Sequence, residues 1–441
     1  RRGYVKYAGA AVVVVAVGAA GAYYATQPPA PPPTTPVVTT PKPTTPVPTT
    51  PVATTPGGKI PLVFTVWNYS VETIKDNTQR FMQVYPDIEV ALYDFNWPDF
   101  PTTMVKRFTT KTQTDVTYEG EDWLAMHVEG GWLAPLDDYW DYWSGHEKTL
   151  DFYKSDMVPY ALQSVTYKDK CYGLPYYSDM FEFMYNKKAL EEIGLSGPPK
   201  DWNEVLDACF KLQAKGYKYP YTLEYQADNP HDWCCVLSAA YGRGARLFDK
   251  DLNAIFQTDK NFSDQLQWFV DGINKHKVVN PDYIATHETV AQKKLGAGEG
   301  AMTLLAGYNL AAMNVPEASP LAGNFRLGLI PGSSHEAYGY AKFDALTKMC
   351  VDRGRNVTEA AIKFLEYFGG HYKGTYQVLK RWAVEKGLGF GYVTPFDDAD
   401  IIKAFDVMYG PGGTGDTKEQ AKLSIIEPHP VWYNEWLDFV L

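Results

Sequence analysis

From Lys59 the chain runs apolar through IPLVFTVW and then turns polar at Asn68, the pattern of a buried strand. VETIKDNTQRFMQVYP follows, with Ile74, Phe81 and Tyr85 at helical spacing and Pro86 beyond the end. DIEVALYDF alternates and predicts a second strand. TDVTYEGED predicts a short third, ending in Tyr118, Glu119, Glu121 and Asp122. Strands alternating with helices predict βαβ units and an open parallel sheet, with ligands beyond the carboxyl ends of its strands. Trp67, Asn68, Tyr69, Glu119 and Glu121 are the candidates that gather there.

YGLPYYSDMFEFMYNK, residues 172–187, starts like a strand, meets Pro175 and a run of aromatics and hydroxyls, and resumes as FMYNK. Proline argues against one continuous central strand here. After it, Asp201 is a good helix N-cap with Glu204 three residues on. Val205, Cys209 and Leu212 form an apolar stripe, and Gly216 can end the helix. This is a second α/β unit after a complete first one, so two lobes are expected, with Tyr172–Lys187 between them.

The N-terminus follows a different pattern. Ala8–Ala25 is apolar or small throughout, preceded by Arg1, Arg2 and Lys6. That reads as a membrane-directed helix with its N-terminus in the cytoplasm. RRGYVK is similar to a twin-arginine export signal, and Ala20-Gly21-Ala22 would serve as a cleavage site. Residues 28–56 hold twelve Pro and ten Thr. Such a segment cannot build a core, and as a PPII-like stalk it would reach about 90 Å at roughly 3.1 Å per residue. A stalk makes sense behind a retained helix, so an anchor at 1–27 with a stalk at 28–58 is favoured over a cleaved signal.

Charge and cysteines narrow the function. The 441 residues carry a formal charge of −11; residues 1–58 hold four cations and no acid, so the rest carries −15. A body that acidic is a poor partner for nucleic acid. None of the five cysteines falls in CxxC spacing, and they read as buried small hydrophobes, with one disulfide left open for an extracellular domain. Sequons occur at Asn68, Asn261 and Asn356. No G-x-S-x-G, HExxH or P-loop is present, and DKDLNAIFQTDK (249–260) lacks the Gly and Glu of a calcium loop. No enzyme, metal or cofactor is expected.

YGLPYYSDMFEFMYNKKALEEIGLSGPPKDWNEVL resembles the extracellular solute-binding proteins of ABC transporters, in the sugar-binding group that includes maltose-binding protein. WLAPLDDYW (132–140), GAGEGAMTLLAGYNL (296–310), FRLGLIPGSS (325–334), AAIKFLEYF (360–368) and PVWYNEWL (430–437) fit the same family, in the expected order. The family usually runs on for another helix or so; this chain stops at Leu441.

The resemblance implies an α/β, two-lobe periplasmic-binding-protein-like (type II) fold with a hinge and an interlobe cleft, beside the N-terminal transmembrane helix. Lobe one is expected at 59–178 and 335–393, lobe two at 179–334 and 394–441. Further crossings are expected near Ser333–Gly339 and Phe390–Phe396. The crossing would carry Tyr176, Tyr177 and Asp179 into the cleft, and the Gly-x-x-Ala-Met stretch would lead to Tyr308 as a sugar platform. Trp67, Tyr177, Trp233, Tyr308 and Trp432 are the expected stackers; Glu119, Asp179 and Gln226 are the expected hydroxyl partners. For Trp233 and Trp432 core packing competes, since Trp is highly buried on average. The implied protein is a membrane-tethered, extracellular carbohydrate receptor serving an ABC permease. The alternative is a structural subunit of a surface filament or lattice on the same fold, self-assembling through its N-terminal helix.

Overall fold

The computed structural model describes residues 58–226, 233–317, 319–427, 429 and 433. The expected anchor, the stalk up to residue 57 and Trp432 lie outside the described residues. Among the described residues no helix is long and apolar enough to cross a membrane.

β1 (Ile60–Trp67), α1 (Val71–Val84) and β2 (Ile88–Phe95) form the expected βαβ unit. β1 and β2 pair in parallel, from Ile60 opposite Ile88 to Trp67 opposite Phe95. Ile74 and Phe81 turn the apolar stripe of α1 inward, and both are buried. β3 (Val116–Gly120) joins the other side of β1, also in parallel, and α2 (Glu121–Glu129) follows at once. β4 (Gly173–Asn186) then runs for 14 residues.

α3 (Trp202–Gln213) opens as its sequence predicts. The Asp201 carboxylate accepts from the N–H groups of Asn203 and Glu204, and Glu204 accepts from the N–H of Lys200. The second lobe continues through β5 (Tyr221–Thr222), α4 (Cys234–Gly242), α5 (Glu288–Gly296), β6 (Met302–Ala306) and β7 (Phe325–Gly328). β8 (Gly339–Leu346) returns to the first lobe, where α6 (Arg355–Gly369) and α7 (Gln377–Lys386) pack. α8 (Ala399–Met408) and α9 (Gly413–Leu423) close the described chain, α9 against β7.

One sheet runs β2-β1-β3-β8-β4-β6-β5, with β7 also paired to β4. It is mixed rather than the open parallel sheet that the first elements predict. β8 lies antiparallel to both β3 and β4. The reason is topological: β4 leaves the first lobe and β8 comes back to it, so side by side they must point in opposite directions.

β4 is continuous through Pro175, which the sequence argued against. The first part, Gly173–Met180, pairs with β8; the second, Phe181–Asn186, pairs with β6 and β7. Proline is tolerated because the ladder breaks there. Phe343 faces Pro175 and Lys342 faces Tyr177, which leaves Tyr176 as the extra residue of a bulge. On the open side of β4 the glycine run 387–391 presses in. A Cβ on Gly389 would come within 2.3 Å of the Ser178 carbonyl oxygen, so only glycine permits that approach.

The first lobe's core centres on Phe64, Phe81, Phe364 and Phe368 from β1, α1 and α6, with Phe364 and Phe368 stacked at 4.3 Å. In the second lobe Trp202, Tyr221, Trp268 and Phe269 do the same work. All five cysteines are buried, and none is in a disulfide.

Candidate functional site

A cavity of about 400 Å³ opens where β4 changes partners. Ten of the seventeen described residues that line it are aromatic, so its walls suit a ligand with apolar faces.

The end of β1 delivers Trp67, Asn68 and Tyr69 to one wall, because a parallel strand exits at the sheet's carboxyl edge. Trp67 is wedged edge-on between Trp97, at 5.0 Å, and Phe100, at 5.3 Å. Asn68 fastens the next turn: its Nδ2 donates to Asn96 Oδ1 at 3.0 Å, and its Oδ1 accepts from the Trp97 N–H. Tyr69 is half exposed and leans toward Trp382 of α7.

β4 contributes Tyr176 and Tyr177 to the lining. The bulge frees Tyr176 to stack on Tyr118 of β3, with centroids 4.2 Å apart and planes 10° from parallel. The hydroxyls of Tyr177 and Tyr340 share a hydrogen bond of 2.7 Å. Burial pushes both phenols well above their ordinary pKa, so each keeps its proton.

β6 runs into Gly307 and Tyr308, and Tyr308 lines the cavity from the second lobe. Its hydroxyl donates to Glu288 at the start of α5. Its backbone N–H and that of Gly307 donate to the carboxylate of Asp179. Asp179 is therefore buried behind Tyr177 and Tyr308 and supports the wall from outside the lining. Burial pushes its pKa up to about 7 against those hydrogen bonds.

Glu121 also stands one layer back. Both its oxygens accept from Lys342 Nζ at 2.9 Å, and Lys342 lines the cavity. The rings of Trp97, Trp123 and Tyr340 stand within 6 Å of that ammonium. The nearby carboxylates of Glu121 and Asp122 hold Lys342 above its ordinary pKa despite burial.

Besides Asp179 and Glu121, three more expected residues lie off the cavity wall. Glu119 follows Tyr118 in β3, so strand alternation turns it to the opposite face. There it is fully buried, with an oxygen 2.7 Å from His127 Nδ1. Trp233 precedes α4 and is buried in the core, with its carbonyl accepting from Leu237. Gln226 is half-buried and outside the lining. The described lining residues that sequence reasoning missed include Trp97, Tyr340, Lys342, Glu224, Glu288 and Trp382. The parallel register that sets Phe95 beside Trp67 is the one signal that could have found Trp97.

Two carboxylates, Glu224 and Glu288, and one paired lysine face a largely aromatic space. This arrangement can stack flat apolar faces and meet hydroxyls with charged acceptors and phenols. Among the described residues no group of three or more His, Cys, Asp or Glu is placed to hold a metal ion.

A family model for the bacterial extracellular solute-binding proteins matches residues 67–370, and the chain belongs to that family. A maltotriose-binding protein of Pyrococcus abyssi is 24% identical over 192 residues, which is 44% of this chain and 38% of that protein. The match thus spans well under two thirds of that relative. Among solved structures, maltose-bound MalE3 of T. maritima is similar with a TM-score of 0.68 at 21% identity, covering 86% of this chain and 92% of the other. The sugar-binding protein MalE of Xanthomonas citri is similar with a TM-score of 0.70 at 17% identity, covering 86% and 90%. These likenesses confirm the two-lobe α/β fold that the motifs predicted.

Proposed function

We propose that the protein binds a short oligosaccharide in this cavity and delivers it unchanged to an ABC importer. The observation that carries the reading is the cavity wall itself, where rings from both lobes face a space of about 400 Å³. Sugar rings present apolar C–H faces for stacking and hydroxyls for Glu224, Glu288 and the tyrosine phenols. The volume sits toward the lower end of the roughly 300–1,000 Å³ common for ligand sites, which favours a short saccharide over a polymer. The relatives named for maltotriose and maltose support the same class.

Of the expected ligand-binding residues, Trp67, Asn68, Tyr69, Tyr176, Tyr177 and Tyr308 would make direct contact. Asp179 and Glu121 would act through Tyr308 and Lys342. A ligand touching both lobes favours their closed arrangement, and closure would present the surface that a permease reads. The N-terminal apolar segment and Pro/Thr stretch would hold the domain outside the cell at the end of a tether. Self-assembly through that segment is compatible with this role. Mass spectrometry of small molecules released from the full chain purified out of its native cells tests the reading: a saccharide supports it, and a consistent non-carbohydrate ligand overturns it.

A further inference from the structure

Two buried carboxyl groups, those of Asp179 and Glu182, face Gly307 next to Tyr308. A Cβ placed on Gly307 would lie 2.5 Å from an oxygen of Asp179 and equally 2.5 Å from one of Glu182. Asp179 accepts from the N–H groups of Met180, Gly307 and Tyr308 and from the hydroxyl of Tyr177. A carboxyl group with four donors is built to be ionised. Glu182 is the opposite case: it is 1% exposed, and neither oxygen has a hydrogen-bond partner among the described residues. The titratable groups facing the pair are Tyr160, Tyr177, Tyr308, Tyr340, Tyr409 and Asp416. None is a cation. Two bare negative charges so close in a buried place would repel strongly.

We propose that Asp179 and Glu182 hold one proton between them in the folded protein at neutral pH, and that Asp179 is thereby the positioning residue for Tyr308. Asp179 stands at the point where β4 passes from β8 to β6. Its bonds to Gly307 and Tyr308 tie that crossing to the cavity wall. The direction of titration agrees, since burial pushes both groups upward and the Asp179 charge pushes Glu182 further. Resting on the cavity reading above, the consequence is proton-linked binding. A ligand against Tyr308 and Tyr177 displaces the water beyond those rings, lowers the polarity around the pair and favours its protonated form, so binding takes up a proton. Affinity then falls as pH rises past neutrality, by up to about tenfold per pH unit for one linked proton.

The test has two arms on the full chain. The first needs no ligand: thermal midpoints of wild type, Glu182→Gln and Asp179→Asn are compared between pH 4 and pH 9. The pair's proton is bound in the native state and lost from the unfolded state above about pH 4, so wild type loses stability as pH rises from there. The expected result is that Glu182→Gln matches wild type near pH 4 and melts higher at pH 9. Parallel curves for wild type and both variants overturn the shared proton. The second arm is calorimetry with maltotriose in two buffers of different ionisation enthalpy at pH 7.5. The expected result is proton uptake in wild type that Glu182→Gln abolishes. Binding without proton uptake overturns the linkage and leaves the cavity reading intact. No binding of maltotriose or maltose contradicts the cavity reading and takes the linkage with it, while the first arm still decides the proton.

Discussion

The ring of Tyr176 lies flat on the ring of Tyr118, 4.2 Å between centroids and 10° from parallel. One residue is the extra member of a bulge in β4, the other belongs to β3, and β8 runs between their strands. The contact therefore fixes the bulge and builds the cavity wall in one step. A double-mutant cycle of Tyr118→Leu and Tyr176→Leu, read by denaturant midpoints, should return a coupling of about 0.5–1.5 kcal/mol, as expected for a specific aromatic pair. Additive losses would mean that the rings merely fill space.

Lys342 and Glu121 form a buried ion pair beside the cavity. Removing one partner strands the other. Lys342→Met should destabilise the protein by about 3–5 kcal/mol at pH 8. The loss should shrink toward pH 5, because Glu121 without its lysine can then take a proton. Adding Glu121→Gln should recover much of the stability. Chemical denaturation of the single and double variants at both pH values checks this.

Asp344 on β8 is fully buried, and neither carboxyl oxygen has a hydrogen-bond partner among the described residues. Burial pushes its pKa well above the ordinary carboxylate range. The native state therefore keeps a proton that the unfolded state loses near pH 4, and stability falls as pH rises above that point. Asp344→Asn cannot ionise. It should match wild type near pH 4 and melt higher at pH 8, as calorimetric scans across that range would record.

Trp233 is 5% exposed and lies outside the cavity lining. Trp233→Ala should cost about 3–5 kcal/mol of stability, the range for a large core ring. Saccharide affinity of the surviving folded fraction should stay the same. Lost affinity at unchanged stability would move Trp233 from the core to the ligand.

Much of this was legible where local rules act alone. Asp201 caps its helix because a carboxylate before an apolar stripe has few better uses. Tyr176, Tyr177 and Tyr308 lie where the ordered motifs put them, on a crossing strand and after a short buried one. What failed was orientation and distance. One residue of phase sends Glu119 to His127 while Tyr118 faces the cavity. Lys342 and Trp382 arrive from segments more than a hundred and fifty residues beyond Tyr177, and no local pattern marks that convergence. Pro175 argues against one continuous central strand, yet β4 runs through it, because a bulge absorbs the proline.

The most direct test of the account is calorimetric titration of the folded full chain with maltotriose and maltose, wild type against Tyr308→Ala. Tyr308 joins the cavity wall to Glu288 through its hydroxyl and to Asp179 through its backbone, so truncating the ring removes the platform and leaves the backbone bonds in place. The account predicts saccharide binding by wild type, at least tenfold weaker in Tyr308→Ala, equivalent to about 1.4 kcal/mol. The thermal midpoint without ligand should barely move. Saccharide binding that ignores the substitution, or no binding to either sugar, would contradict it.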